Sequence, residues 1–112
     1  MGQMTGDLLR GTLELLVLRT VASEPLHGYG IARWIEKATG DAVRVEEGSL
    51  YPALYRLERK GWLSAEWGQS ELGRRAKFYR LTAPGREHLE RESGEWARFT
   101  DAVRGVLFAG ES

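Results

Sequence analysis

A chain of 112 residues fits one domain, and because it has no cysteine it can carry neither a disulfide framework nor a thiolate metal site. Its composition, 42% hydrophobic and 29% charged, is typical of a globular protein and excludes a disordered or fibrous chain. The 16 basic and 16 acidic residues cancel, which argues mildly against a nucleic-acid partner, since domains that bind nucleic acid are usually basic.

The first predicted helix runs from Asp7 to about Ala22 and is apolar on nearly every side. Such a helix has to be covered on two faces, one by the core of its own chain and the other by a partner. We assign Leu8 and Leu15 to this second face. The longest all-aliphatic run, Leu15 to Leu18, is far too short to cross a bilayer, and the N-terminus lacks a secretory signal. A cytoplasmic protein without a membrane partner is therefore predicted.

A second helix is predicted from Gly28 to about Thr39, after a break imposed by Pro25. Gly40 suits the left-handed stop of this helix, and His27 is expected to cap or brace its start. A short connector then leads to the next helix, so the two can form a helix-turn-helix pair.

The third predicted helix, from Gly48 to Lys60, presents two contrasting faces. Leucines recur at helical spacing on the face that we assign to the core: Leu50, Leu54 and Leu57. The other face carries aromatic, imino and basic side chains: Tyr51, Pro52, Tyr55, Arg56 and Arg59. Ser49 is the predicted N-cap, which places Pro52 in the first turn, where its missing N–H is tolerated. Glu46 and Glu47 are expected to favour the helix N-terminus and to point away from phosphate.

After Gly61 the apolar period changes from about 3.6 to 2, and two aromatic-rich strands are predicted, Trp62–Gly68 and Ala76–Thr82. Residues 72–80 contain four cations and no acid, so this hairpin is locally basic although the whole chain is neutral. Its tip is expected to place cations on a phosphate backbone: Arg74, Arg75 and Lys77.

Thr82 is the predicted cap of a fourth helix, which extends to about Leu107. Apolar residues recur along it at heptad-like spacing, although Glu92 interrupts the seam. No partner for this seam is evident within so short a chain, so we expect it to pack against a second copy: Leu89, Trp96, Phe99, Val103 and Val106. Trp96 lies beside two small residues, which suggests a pocket for a planar aromatic effector; the alternative is that it only packs the dimer core.

Three helices, a basic hairpin and a last helix are together typical of a winged helix-turn-helix protein, a mainly α fold with a small β-hairpin. In such proteins the second helix of the pair lies in the DNA major groove. The outward face of the third helix is then expected to meet base edges and phosphates, with Arg56 forking onto guanine or phosphate. A merely solvated helix and a merely solubilising hairpin remain the alternatives at this point.

Signals for catalysis are weak. The sequence from Gly28 to Gly30 begins a dinucleotide-binding glycine motif, but Arg33 occupies the third glycine position and no strand is expected before it. Ser49 lacks the glycines that frame a hydrolase nucleophile, and the two histidines do not form a ligand-like cluster. No enzymatic activity, cofactor or metal site is predicted.

Three segments in chain order carry a family resemblance: LHGYGI at residues 26–31, GSLYPALYRLE at 48–58 with Gly61, and RRAKFYRLT at 74–82 with Gly85. Together they are similar to the PadR family of bacterial transcriptional regulators, over roughly residues 8–105. The resemblance implies a homodimeric winged-helix repressor of the short branch, with one C-terminal helix. It places Ser49 at the start of the recognition helix and Arg74 in the wing.

We therefore predict a regulator that binds an inverted-repeat operator as a homodimer and acts as a repressor. Residues 1–84 are assigned to DNA binding, and residues 85–112 to the dimerisation helix and tail. The alternative is a winged-helix module that binds protein and not DNA, for which the zero net charge is the best support.

Overall fold

Four helices and a small antiparallel sheet make up the part of the chain that the computed structural model describes, residues 12–110. The helices are α1 (Leu13–Thr20), α2 (Gly28–Ala38), α3 (Glu47–Arg59) and α4 (Ala83–Leu107). The strands are β1 (Leu26–His27), β2 (Leu63–Gln69) and β3 (Arg75–Leu81). The fold class predicted from the sequence is confirmed. The predicted helix start at Asp7 and the predicted interface residue Leu8 lie outside the described residues.

One hydrophobic core joins the helices to the sheet, and it is built from the apolar positions that recur at helical spacing. Its fully enclosed members come from α1, α2 and α3: Val17, Leu18, Ile31, Ala53, Leu54 and Leu57. Leu63 and Tyr79 add the inner side of the sheet. Burying this face of α3 leaves its other face turned to solvent, which is what positions the candidate site.

The sheet has the order β1-β3-β2, with β3 antiparallel to both neighbours. The β2–β3 hairpin was predicted to within one residue at each strand end. Strand β1 was not predicted, because two residues are too few to show a period. It pairs Leu26 with Tyr79 and His27 with Phe78, and so ties the start of α2 to the hairpin. The hairpin is the wing of the fold.

The N-terminus of α2 follows the prediction, whereas that of α3 does not. The Nδ1 atom of His27 accepts a hydrogen bond from the Gly30 amide at 3.0 Å, so the predicted cap is confirmed. The N-cap of α3 is Glu46, and the prediction for Ser49 is wrong. The carbonyl of Glu46 already accepts from the Ser49 and Leu50 amides, at 3.0 and 2.9 Å. Pro52 therefore lies in the second turn and not the first.

Thr82 joins the wing to α4, as its predicted role as N-cap requires. Its hydroxyl accepts from the Gly85 amide at 3.0 Å and donates to the Gly61 carbonyl at 2.7 Å. Its own amide donates to the Trp62 carbonyl at 3.1 Å. These bonds hold the start of α4 against the turn that follows α3.

Candidate nucleic-acid interface

The face of α3 opposite Leu50, Leu54 and Leu57 is exposed, as the leucine spacing predicted. Tyr51 is 47% and Tyr55 61% exposed, and two large aromatic side chains one turn apart form a contiguous exposed patch of the kind that marks an interaction site. The other predicted members are also exposed: Ser49, Pro52, Arg56 and Arg59. The structure thus brings these six side chains to the surface of one helix, and their contacts differ.

Tyr51 rests on the start of α2. A Cβ atom added at Gly28 would lie 2.7 Å from the Tyr51 hydroxyl oxygen and 2.9 Å from the ring carbons Cε1 and Cζ. The absence of a Cβ atom at Gly28 therefore allows the Tyr51 side chain to approach the start of the neighbouring helix this closely. This role of Gly28 was not predicted from the sequence, because the contact depends on how two helices pack.

Tyr55 and Arg59 form a local pair one helical turn apart. Arg59 Nη1 donates to the Tyr55 hydroxyl at 3.2 Å, and the guanidinium carbon lies 5.7 Å from the ring centroid. The pair places a cation and a phenol together on the exposed face, and both are suitable phosphate partners.

Arg56 has a protein partner that the sequence did not suggest. Its Nε donates to Glu14 Oε2 on α1 at 2.6 Å, and Lys60 Nζ donates to the other oxygen of this carboxylate at 3.3 Å. Burial alone would raise the pKa of Glu14, but the hydrogen bonds from Arg56 and Lys60 outweigh it and bring the pKa below its ordinary value of 4.5. The pairing therefore stabilises the fold above that pH and is lost as the pH falls through the lowered pKa.

The wing cations that were predicted to contact phosphate differ in their surroundings: Arg74, Arg75 and Lys77. Arg74, at the tip, is exposed. The Arg75 guanidinium lies 4.5 Å from the Trp67 ring centroid, an aromatic contact that the sequence analysis missed. The register explains it, because Trp67 pairs with Lys77 and is thus a diagonal neighbour of Arg75.

Lys77 joins the wing to α3 and does not lie at the tip of the wing. Its Nζ donates to Glu58 Oε1 at 3.2 Å and lies 5.6 Å from the Tyr79 ring centroid. The hairpin is therefore attached directly to the helix that carries the exposed tyrosines. The predicted α3 and wing residues accordingly belong to one connected surface, with Lys77 at its junction.

The seam of α4 separates into two parts. Leu89 is 7% exposed and belongs to the core of its own chain, so the premise that it lacks a partner there is wrong. The C-terminal part of the seam is uncovered: Trp96 is 47%, Phe99 59% and Val106 78% exposed, and Val103 is half-buried.

An open cleft of about 340 Å³ lies between α1 and α4 beside Trp96. Its lining combines aromatic rings with three carboxylates: Thr12, Glu14, Leu15, His88, Glu92, Glu95, Trp96 and Phe99. The sequence predicted a pocket at Trp96 only, and the other lining residues were not assigned to it. Glu14 and Leu15 come from α1, which is distant from Trp96 along the chain.

Within residues 12–110, no group of three or more His, Cys, Asp or Glu side chains is arranged to hold a metal ion. None of the described helices is both long and apolar enough to cross a membrane.

Comparison with known proteins matches residues 17–91 to the family model described as the transcriptional regulator PadR-like family. A transcriptional regulator of Mycobacterium tuberculosis is 32% identical over 83 residues, which are 74% of each chain. Among solved structures, a PadR-like transcriptional regulator from Bacillus cereus aligns with a TM-score of 0.81 at 30% identity, covering 95% of this chain and 100% of that one. A PadR family regulator from Eggerthella lenta aligns with a TM-score of 0.78 at 32% identity, covering 93% and 88%.

Proposed function

The chain belongs to the PadR-like family of transcriptional regulators, as a DNA-binding regulator and not an enzyme, and from that premise we propose that it is a cytoplasmic repressor that binds an inverted-repeat operator as a homodimer. The observation that carries this proposal is the surface formed by α3 and the wing. Tyr51 and Tyr55 are exposed on α3, and Lys77 attaches the basic wing to the same helix. A helix with its wing beside it can contact base edges and the flanking phosphates together.

The proposed DNA contacts fall into two groups. On α3 they are Ser49, Tyr51, Pro52, Tyr55, Arg56 and Arg59, and on the wing they are Arg74, Arg75 and Lys77. Tyrosine and serine hydroxyls suit phosphate oxygens, the tyrosine rings suit sugars and thymine methyls, and arginine suits guanine or phosphate. Lys77 has to share its charge with Glu58, so we expect its contribution to be smaller than that of Arg74.

Footprinting of the DNA that flanks the gene tests the proposal. At saturating protein we expect protection of two inverted half-sites about one helical turn apart, roughly 34–36 Å, because the two recognition helices of a symmetric dimer follow the same face of the duplex. Protection of a single asymmetric half-site would contradict the dimeric arrangement.

A salt titration on random duplex DNA separates the proposal from the alternative of a protein-binding module. Affinity dominated by phosphate contacts falls steeply as salt rises, because bound counterions are released from the DNA. Failure to bind random duplex at low salt would favour the protein-binding module, to which the zero net charge gives its support.

The exposed part of the α4 seam supports the proposed dimer. Trp96, Phe99 and Val106 form an uncovered apolar surface, which on a small protein marks an interaction site. Leu15 of α1 lines the cleft beside them and extends this surface. With Leu89 buried in its own chain, α4 serves the core with its first turns and the dimer with its later ones.

We expect Phe99→Lys to shift the protein from dimer to monomer at micromolar concentration, because the substitution would bury an unpaired charge in the interface. Sedimentation equilibrium measures the change. Asp101→Lys is the matched control, since residue 101 lies on the opposite side of the helix, two positions further on. A Phe99→Lys protein that stays dimeric while folding normally would show that the seam is not the interface.

The cleft beside Trp96 supports a planar aromatic effector that also carries positive charge. Aromatic faces stack on such a ligand, and the carboxylate of Glu92 favours a cation, whereas Glu14 and Glu95 are already paired with arginine or lysine side chains. Ligand binding at the junction of two subunits would change the distance between their recognition helices. The alternative remains that Trp96 only packs the dimer.

Tryptophan fluorescence with an acridinium cation, and with an uncharged tricyclic arene of the same size, tests the effector. We expect the cation to quench the native protein more strongly than the arene does, and to lower the DNA affinity of the native protein more than that of Trp96→Phe, a comparison that removes any effect of the cation on the DNA itself. Trp96→Phe should lose this quenching, whereas Trp67→Phe, altered in the wing, should keep it. Equal quenching in both variants would place the ligand elsewhere.

A further inference from the structure

Glu14 on α1 makes a side-chain hydrogen bond to Arg56 on α3, although 42 positions separate the two residues. Its two carboxylate oxygens are divided between two cations, Arg56 Nε at 2.6 Å and Lys60 Nζ at 3.3 Å. Its side chain is 28% exposed, against 52% for Arg56 and 47% for Lys60. The acid is thus the enclosed member of the cluster, and the cations extend outward from it.

The hydrogen bond to Glu14 leaves the outer nitrogens of the Arg56 guanidinium, Nη1 and Nη2, available to contact DNA. Glu14 accepts from Nε, the nitrogen nearest the helix. The remaining guanidinium nitrogens, Nη1 and Nη2, make no hydrogen bond within residues 12–110. A pair of parallel N–H groups of this kind is what forks onto guanine O6 and N7. Holding the inner edge fixes the direction of the outer one, and ordering a long side chain before binding lowers the entropy lost on binding.

We propose that Glu14 is a positioning residue for DNA sequence recognition, which orients Arg56 for a base contact without touching DNA itself. The inference rests on the proposed function of α3 as the recognition helix. Glu14 acts in two ways that both increase discrimination. Its hydrogen bond keeps Arg56 in one orientation, and its negative charge lessens the attraction of Arg56 and Lys60 to phosphates in general.

A purely structural role for the same cluster has different consequences. Half-exposed ion pairs contribute little to stability, because solvent screens them and two long side chains have to be ordered. If the cluster served stability alone, removing it would change the melting temperature slightly and leave the ratio between operator and random-DNA affinities unchanged. The affinity ratio therefore separates the two roles.

The experiment measures the DNA affinity of four variants: Glu14→Ala, Arg56→Ala, their double variant and Lys60→Ala. Each is measured on the footprinted operator, on its single base-pair variants and on random duplex. Alanine is a strong helix former, so Glu14→Ala is compatible with α1. Lys60→Ala is the matched control, because it removes the other cation from the same carboxylate. Glu14→Gln, which keeps the side-chain length without the charge, provides a second measurement if the alanine variant folds poorly.

For Glu14→Ala we expect the operator-to-random affinity ratio to fall about tenfold, which is in the lower range for a lost bidentate contact. We expect the lost discrimination to be confined to one base pair of each half-site, as measured on the single base-pair variants. Binding to random duplex should become tighter, with a salt slope steeper by about one unit. The double variant should lose no more discrimination than Arg56→Ala alone, because both changes remove the same contact. Lys60→Ala should keep the ratio within about twofold.

The inference is overturned if Arg56→Ala lowers the ratio and neither Glu14 variant does, or if Arg56→Ala leaves the ratio unchanged. It is also overturned if Lys60→Ala lowers the ratio as much as Glu14→Ala. In each of these cases the unaltered protein still binds its operator, so the proposed function stands. An unaltered protein that shows no salt-dependent DNA binding overturns the proposed function, and the inference with it.

Discussion

Gly85→Ala is expected to lower the free energy of unfolding by about 3 kcal/mol and the melting temperature by about 10 °C or more. Gly85 is buried in the first turn of α4, where its amide donates to the Thr82 hydroxyl. A Cβ atom at this position would overlap the Trp62 carbonyl oxygen and lie 2.9 Å from both the Trp62 carbonyl carbon and Leu81 Cδ1. Two of these three atoms belong to the backbone, which cannot rotate away as a side chain can.

Thermal and urea denaturation measure this effect, and α4 offers a matched control. A Cβ at Gly105 would meet no atom within 4 Å, and its φ is not in the left-handed region. Gly105→Ala should therefore be neutral or stabilise the protein by up to about 1 kcal/mol, because alanine is the better helix former. If Gly85→Ala and Gly105→Ala had the same stability, the packing of α4 against the turn after α3 would be different from that described.

The double variant Arg74→Ala/Arg75→Ala is expected to weaken DNA binding on the order of 100- to 1000-fold at physiological salt, for operator and random duplex alike. Two cations are removed from each wing, so a dimer loses up to about four phosphate contacts and the salt slope becomes shallower by about the same number of units. Arg75 packs over the Trp67 ring and Arg74 lies at the exposed tip of the wing. Neither position requires a base contact.

Fluorescence anisotropy over a range of salt concentrations measures both affinity and slope. Arg91→Ala/Arg98→Ala produces the same change in net charge on α4 and should leave the slope nearly unchanged. If the wing variant instead altered the preference between operator and random duplex, the wing would read bases and not only phosphates.

Helix positions and the exposed face of α3 followed from the sequence because they depend on neighbours a few residues apart. The spacing of Leu50, Leu54 and Leu57 decides which side of the helix is buried, and with it which side carries Tyr51 and Tyr55. The cap from His27 to Gly30 is equally local, as is the polar, glycine-containing turn at the wing tip.

The start of α3 shows where local signals compete. Serine is a favoured cap residue, yet the helix begins after Glu46, whose backbone is extended with φ −93° and ψ 147°. The residue immediately before it, Val45, is held in place by the core, with 8% exposure, and by a hydrogen bond from its amide to Glu36 Oε2 at 3.1 Å. Packing of the connector thus outweighed the preference of a single side chain.

What the sequence by itself determined was the order of the four helices and the hairpin, the buried face of α3 and the basic wing, because periodicity and turn chemistry act over a few residues. Only the tertiary structure decided that Glu14 holds Arg56, that Trp67 supports Arg75, and that Leu89 belongs to its own core. Each of these contacts joins residues from different elements, and its existence depends on how those elements pack. Charge pairing and close packing act over a few ångströms, and the separation of two residues along the chain does not determine their distance in space.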